Sequence, residues 1–421
     1  MNTVALGDGV YLHHTETDRF KTVVFSVRFL YPVTKGRSAA DTILPRILQH
    51  GCRLCPTERE LQIRLDELYG SDLVHSYERI GDMRVTSFTV DFLSERYLPH
   101  GTGLRDQVIS LLFSMLLEPL ADAENGFSAE YTERERTAHL DRLRAIKNQK
   151  GAYAIAQCRE QMRDRSRYDV PSAGTEDETL LVTPRTLYEQ YLHMMRSSEI
   201  HFSYVGPDSE SEIASLIRSK MLPRTPDLRP FILRRPRAAR VRRVSEQASG
   251  AQSILVLGYR TGVYIEDEEA ALYPLFIEIL SDSPMAKLFC SVRERKNLCY
   301  SIRAGASLAS GALMISAGID SARSHDAERA IRAEIAKCRR GEITDEELAC
   351  AKESVLSAYA SIGDSPTDLD AYFSRAKLLR KDTPIKERLD RILSAGAEDV
   401  ARLASKLSLD TVYLLKAGDG V

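Results

Sequence analysis

The sequence predicts an α+β protein of two homologous domains, each a mixed sheet with helices packed on one side. Three observations support this fold class. The chain has 421 residues, which is more than one hydrophobic core usually organises. Prolines and arginines are concentrated in 223–249, a composition typical of a linker. The same order of elements recurs on either side of it, so we predict domains over 1–222 and 250–421.

Each half is predicted to open on a strand and to continue into a helix. The strand-like runs are 22–29 and 253–259, both rich in β-branched and apolar residues. In the first half, Thr57 and Glu60 have the spacing of a capping box, and leucines follow at helical spacing. This pattern predicts a helix over 58–69.

Strand-period alternation follows that helix. The runs 72–77 and 84–92 alternate with period two and predict a hairpin, which 313–319 matches in the second half. Each half then continues into long helical stretches and ends in a helix followed by a strand. These later elements are predicted at 129–162, 187–194 and 200–206 in the first half and at 344–361, 397–407 and 411–418 in the second.

Composition and charge indicate an ordinary globular protein. The chain is 43% hydrophobic and 28% charged with a formal net charge of -2, which argues against a nucleic-acid partner. Its N-terminus lacks a signal-peptide pattern, and no apolar run approaches the ~20 residues of a membrane span. Seven cysteines, an odd number, favour reduced thiols. We therefore expect a cytoplasmic protein without a cofactor and without membrane contact.

One helical face carries the spacing of a two-ligand metal motif. Arg46, Gln49 and His50 stand at i, i+3 and i+4, and residues at this spacing share a helix face. The run ending at His50, the Pro-Thr pair at 56–57 and the Leu-Tyr-Gly run at 68–70 resemble the insulinase/pitrilysin family of metallopeptidases. The resemblance covers essentially the whole chain, and it implies a zinc site where the family carries H-x-x-E-H.

The resemblance also implies that this zinc site is lost. Arg46 stands at the first histidine position, Gln49 at the glutamate position, and only His50 is retained. The third ligand, a glutamate on a later helix, is replaced by Arg142. Arginine repels Zn²⁺ and an amide cannot accept a proton, and general-base assistance alone is worth ~10² to 10⁴ in rate. We expect no bound metal and no catalysis by the chain alone.

A second motif is intact. The segment 287–301 resembles the family's L-F-x-x-x-R-x-x-x-x-L-x-Y pattern, which implies that Arg293 and Tyr300 hold a bound peptide and its scissile carbonyl. In paired bacterial members of the family, a zinc-less chain accompanies a zinc-bearing paralogue. The resemblance therefore suggests a heterodimer with an H-x-x-E-H paralogue that acts on a peptide or an unfolded protein.

The sequence is also compatible with other functions. The chain could be a noncatalytic scaffold or binding protein, in which the peptidase-like chamber only captures a partner. His50, Cys52 and Cys55 could form a new metal site, although the C-x-x-C pair has no second pair near it. A presequence-processing subunit matches less well, because the corresponding loop, 281–284, has no glycine.

Overall fold

The structure, a computed structural model, consists of two compact units, and each unit is discontinuous in sequence. It describes residues 1–99, 101–163, 171–221, 224–228, 232–233, 235–238, 240–249, 252–379 and 383–418. Unit 1 comprises 1–143, 167–232 and 362–380, and unit 2 comprises 144–166, 233–361 and 381–421. These units divide the chain differently from the predicted domains, 1–222 and 250–421, which stay a prediction.

Thirteen strands form two mixed sheets and one short ribbon within the described residues. The sheet of unit 1 has the order β1-β2-β8-β3-β5-β4, the sheet of unit 2 has the order β11-β12-β10-β13-β9, and β6 pairs with β7. Strands β2 and β8 run parallel, as do β9 and β13, and the other neighbours are antiparallel. The strands are β1 Asn2–Gly7, β2 Val10–Glu16, β3 Thr22–Pro32, β4 Asp72–Ile80, β5 Met83–Leu93, β6 Ala121–Asp122, β7 Gly126–Phe127, β8 Glu199–Gly206, β9 Arg242–Ser249, β10 Ser253–Arg260, β11 Ser301–Ser307, β12 Ala312–Ile319 and β13 Ser408–Gly418.

Helices cover the sheets. The α-helices are α1 Ser38–Leu48, α2 Glu58–Glu67, α3 Leu104–Leu117, α4 Ala129–Ala145, α5 Lys150–Met162, α6 Glu176–Leu180, α7 Pro184–Ser197, α8 Glu210–Lys220, α9 Tyr273–Ile277, α10 Ser324–Arg339, α11 Asp345–Ile362, α12 Pro366–Leu378, α13 Ile385–Ser394 and α14 Ala397–Lys406. Short 3-10 turns lie at Glu95–Tyr97, Ile146–Asn148, Glu268–Leu272 and Ser321–Arg323, and π-helical segments lie at Glu278–Asp282 and Leu288–Arg295. No helix in the described ranges is both long and apolar enough to cross a bilayer.

The central strand of unit 1 sends alternate side chains to two different environments. Phe25, Val27 and Phe29 of β3 are buried in the apolar core that α1, α3 and α7 complete. Ser26 and Arg28, on the opposite face, contact α12. Because successive side chains of a strand point to opposite faces, one strand supports an apolar layer and a polar contact together.

The sheet of unit 2 is covered in the same way. Leu255 and Leu257 of β10 face the core formed with α10 and α14. Ile254 and Val256 face α5 and pack in a separate apolar cluster with Met162. Each sheet thus has its main helical layer on one face, and a further helix packs on the other. Helix α5 in unit 2 and helix α12 in unit 1 each come from the opposite half of the sequence.

The predicted α+β class with mixed sheets is confirmed, and two local predictions change. The helical stretch predicted at 129–162 is two helices, because Gln149 leaves the helical region with φ -93° and ψ 79° and α5 packs in unit 2. The residues 242–249, assigned to the linker at 223–249, form β9 beside β13. Part of that linker, including Pro223, Pro230 and Arg234, lies outside the described residues.

Candidate functional site

The degenerate zinc positions lie at the end of α1, which is almost entirely buried. Its apolar residues, such as Ile43 and Leu44, pack in the core of unit 1. The helix ends at Leu48, and the N–H groups of Gln49 and His50 donate to carbonyls three residues back, at 3.0 and 3.2 Å. Gly51 follows with φ 145°, where a Cβ would lie 2.8 Å from a backbone oxygen. The chain therefore turns sharply away directly after His50.

His50 lies between two carboxylates, one of which is hydrogen-bonded to its Nε2. The ring is 4% exposed. Its Nε2 lies 3.0 Å from Glu135 Oε1 on α4, and its Nδ1 lies 3.2 Å from Glu58 Oε2 on α2. Tyr131 stacks on the ring with a centroid separation of 4.5 Å. The ring of His50, the predicted retained ligand position, is thus enclosed by neighbouring side chains.

Gln49 ties the end of α1 to the outer strand β4. Its Oε1 accepts a hydrogen bond of 2.7 Å from His75 Nδ1, and its Nε2 donates to the carbonyl of Leu73 at 3.2 Å. Burial, followed by the positive charge of Arg46, lowers the pKa of His75 to about 4. A neutral His75 can carry its proton on Nδ1, which suits the bond to Gln49. Gln49 therefore links the end of α1 to β4.

Protein side chains already supply positive charge in this cluster. Arg142 Nη2 lies 3.7 Å from Glu135 Oε2. The hydrogen bond from His50 and the charges of Arg142 and Arg46 lower the pKa of Glu135 despite its burial. The Nε atom of Arg46 is buried and has no hydrogen-bond partner among the residues that the structure describes. Arg142 thus pairs with Glu135, whereas Arg46 adds positive charge without an ion pair to any described residue.

These side chains do not fit a zinc ion. Zn²⁺ needs neutral imidazole, thiolate or carboxylate ligands, whereas Arg46 and Arg142 bring two fixed positive charges to the ligand positions. In the part of the chain that the structure describes, no group of three or more His, Cys, Asp or Glu residues is arranged to hold a metal. We therefore derive no catalytic step through zinc in this chain.

Cys52 and Cys55 form a closed turn in the core. Both are buried free thiols, and each backbone N–H donates to the carbonyl of the other residue, at 2.8 and 3.1 Å. Burial and the neighbouring Cys52 raise the pKa of Cys55. A thiol with a raised pKa is a poor metal ligand and a poor nucleophile, so this pair packs as small apolar side chains.

Arg293 lies on the outer side of a π-helical segment in unit 2. Leu288 and Val292 anchor that segment with fully buried side chains. The guanidinium of Arg293 stacks over the ring of Phe289 at 4.9 Å, and its Nε lies 3.6 Å from Glu294 Oε1. These contacts orient the group while leaving 44% of its side chain exposed.

Tyr300 stands directly before β11. Its backbone N–H donates to the carbonyl of Gly318 at 2.8 Å, and the preceding residues Leu298 and Cys299 are buried. Its side chain is nevertheless 68% exposed, and its hydroxyl has no hydrogen bond to any described residue. The main chain at this position is fixed, and the phenol is presented to solvent.

The structure thus brings Arg46, Gln49, His50 and Arg142 together in unit 1, while Arg293 and Tyr300 belong to unit 2. The surroundings of His50 and Gln49 are completed by Glu58, His75 and Tyr131, which were not predicted from the sequence. The sequence signals for two of these residues concern position alone. Glu58 directly follows the capping Thr57, and His75 lies in a run that alternates with strand period.

Comparisons with known proteins agree with this geometry. Residues 182–355 match the family described as Peptidase M16 inactive domain. Over 415 residues the chain is 24% identical to Probable inactive metalloprotease YmfF of Bacillus subtilis (strain 168), covering 98% of this chain and 97% of that protein. A solved structure of a conserved protein from Enterococcus faecalis V583 is similar over 100% of this chain and 99% of that chain, with a TM-score of 0.92 and 22% identity. The peptidase M16 inactive domain from Pseudomonas fluorescens matches over 100% and 98% of the two chains, with a TM-score of 0.80 and 17% identity.

Proposed function

Because this chain is a homologue of the M16 (insulinase/pitrilysin) peptidases without their zinc motif, we propose that it is the noncatalytic, peptide-binding subunit of a heterodimer. Its partner would be a zinc-bearing paralogue with an intact H-x-x-E-H motif. The proposal is supported by a contrast between two sites. The zinc positions around His50 are filled by neighbouring side chains, whereas Arg293 and Tyr300 remain exposed on fixed backbone.

The chemistry of this pair suits an extended peptide. A guanidinium and a phenol both donate hydrogen bonds, and backbone carbonyls accept them whatever the peptide sequence. A donor aimed at a carbonyl that becomes an oxyanion stabilises the transition state more than the ground state. In the proposed complex, the partner supplies the zinc-bound water, while Arg293 and Tyr300 hold the peptide and its scissile carbonyl.

The test is turnover by a mixture of the two chains. We expect the paralogue alone to cleave an unstructured peptide slowly and the mixture to cleave it faster. Arg293→Ala and Tyr300→Phe should each slow the mixture by about one to three orders of magnitude, the usual cost of losing such a donor. Peptide cleavage at equal complex concentrations measures this effect.

Matched controls come from exposed residues outside the proposed pair. Arg329, with 72% of its side chain exposed, is a control for the arginine, and Tyr97, 54% exposed, is a control for the tyrosine. Arg329→Ala and Tyr97→Phe should leave turnover within about twofold of wild type, since exposed sites contribute little. A paralogue that is as fast alone as in the mixture would disprove the proposal. If the chains associate without any gain in turnover, the scaffold or binding-protein reading is the correct one.

We also propose a cytoplasmic location, which the cysteines support. All seven are free, and five of them are buried. Free thiols in this number are typical of a reducing compartment.

A further inference from the structure

At the degenerate zinc positions, the ion pairs among the described residues leave one positive charge without a partner. Glu58 already contacts His50 and the guanidinium of Arg134, at 3.2 and 3.0 Å. Glu135 is shared between His50 and Arg142. Arg46 has no ion pair and no hydrogen bond with any described residue through its side chain, and its Nε is buried. Both carboxylates are therefore already paired, and Arg46 has no acidic partner among the described residues.

Arg46 lies close to the other members of the cluster. It lies one helical turn before His50, whose Nε2 is 3.0 Å from Glu135, and Glu135 is in turn 3.7 Å from Arg142. The charge of Arg46 contributes to the lowered pKa of His75, Glu135 and Arg142. Burial, and next the charge of Arg46, lowers the pKa of Arg142, so the two guanidinium groups repel each other. The side chain of Arg142 is 40% exposed and Arg46 is partly exposed, so neither arginine is sealed from solvent.

We propose that this former metal position binds a carboxylate. Guanidinium groups present planar, paired donors that match a carboxylate, and a bound anion would relieve the repulsion between Arg46 and Arg142. The ligand should carry a single negative charge, because Glu135 balances one of the two arginines and would repel a doubly charged phosphate. Loss of the zinc motif has thus exchanged a cation site for an anion site.

The carboxylate can come from an acidic side chain or from the C-terminus of a peptide. This site lies in unit 1 and needs no partner chain, so it is separate from the proposed role of Arg293 and Tyr300. Failure of the heterodimer proposal would leave it untouched, since its test uses the isolated chain and measures binding rather than cleavage.

The experiment titrates the isolated chain with three capped tripeptides. Acetyl-Ala-Glu-Ala-amide carries only a side-chain carboxylate, acetyl-Ala-Ala-Ala only a C-terminal carboxylate, and acetyl-Ala-Ala-Ala-amide neither. Calorimetry gives the affinity, and the imidazole NMR signals of His50 and His75 report the location. We expect one or both acidic peptides to bind and shift these signals, and chloride to compete. The peptide that binds identifies the source of the carboxylate.

Substitutions then test the assignment. Arg46→Gln should weaken binding by at least about tenfold, because a hydrogen bond to a charged group is lost. Arg53→Gln changes the net charge equally at a side chain that is 81% exposed, and it should leave the affinity within about twofold. Arg46→Gln should not unfold the chain, since the Nε of Arg46 makes no bond. Equal binding by Arg46→Gln and wild type, equal loss in Arg53→Gln, or binding of the uncharged peptide would each overturn the proposal.

Discussion

A chain that carries Arg46→His together with Arg142→Glu should bind one zinc ion with about micromolar or tighter affinity, whereas wild type should bind none. The two substitutions remove both guanidinium charges from the surroundings of His50 and supply the missing imidazole and carboxylate. They also turn a net positive cluster into a net negative one, which attracts a divalent cation. Elemental analysis and competition with a chromogenic chelator would measure the stoichiometry and the affinity.

The single variants are the matched controls for this restoration. Arg46→His alone leaves Arg142 beside the site, and Arg142→Glu alone leaves Arg46, so each should bind zinc at least about a hundredfold more weakly than the double variant. Adding Gln49→Glu should change the affinity little, because that residue corresponds to the general base rather than to a ligand. Zinc binding no stronger in the double variant than in wild type would show that Arg46 or Arg142 is not at a ligand position. Zinc bound by wild type would favour the alternative site of His50, Cys52 and Cys55.

Local sequence patterns predicted many of the helices and strands. Thr57 and Glu60 form the capping box that their spacing predicts, with bonds of 3.0 and 3.1 Å. Thr344 and Glu347 form an equivalent capping box in the second half. The hairpin predicted at 72–92 is the pair β4 and β5. Such elements are encoded by residues a few positions apart, which is why spacing alone finds them.

Long-range pairing is what the sequence did not reveal. Arg28 lies in the middle of an apolar strand, and its partner Asp370 is 342 residues away. Nothing near Arg28 indicates that α12 covers this face of the sheet. A charged residue in a buried strand signals only that some partner must exist, and identifying the partner requires the fold.

The candidate site also combines residues that a sequence motif identifies with contacts that no motif predicts. Family resemblance assigns Arg46, Gln49 and Arg142 to positions of the zinc motif, and this assignment stays a prediction. The contacts that now fill the site, such as Gln49 with His75, join a helix end to a strand. A side chain that gains a new partner after its old role is lost leaves no motif, so these contacts could not be predicted.

Breaking the buried ion pair beneath α12 should destabilise unit 1 strongly. Arg28 Nη2 lies 2.5 Å from Asp370 Oδ2, and side chains are 10% and 2% exposed. Ser26 and Ser374 also donate hydrogen bonds to this carboxylate. Asp370→Asn leaves Arg28 buried beside a neutral group. We expect a loss of about 3–5 kcal/mol in the free energy of unfolding, measured by urea denaturation.

An exposed ion pair on the same helix provides the control. Arg375 of α12 contacts Glu78 at 2.6 Å, with side chains 50% and 37% exposed. Glu78→Gln should cost less than about 1 kcal/mol, because water screens that pair. Replacing both buried partners, in Arg28→Met with Asp370→Leu, should recover most of the loss, since no unpaired charge then remains.

The stabilisation from Asp370 should disappear in acid. Burial by itself would raise the pKa of Asp370, but the adjacent Arg28 guanidinium and the hydroxyl donors outweigh burial and lower it. A carboxyl whose pKa is lower in the folded state stabilises the fold above its unfolded pKa of about 3.9, and this contribution is lost as the pH falls through the folded value. The difference in unfolding free energy between wild type and Asp370→Asn should therefore be constant near neutral pH and shrink below about pH 4. A difference that stays constant into acid, or that is as small as for Glu78→Gln, would mean that the Arg28–Asp370 pair does not hold α12 on the sheet.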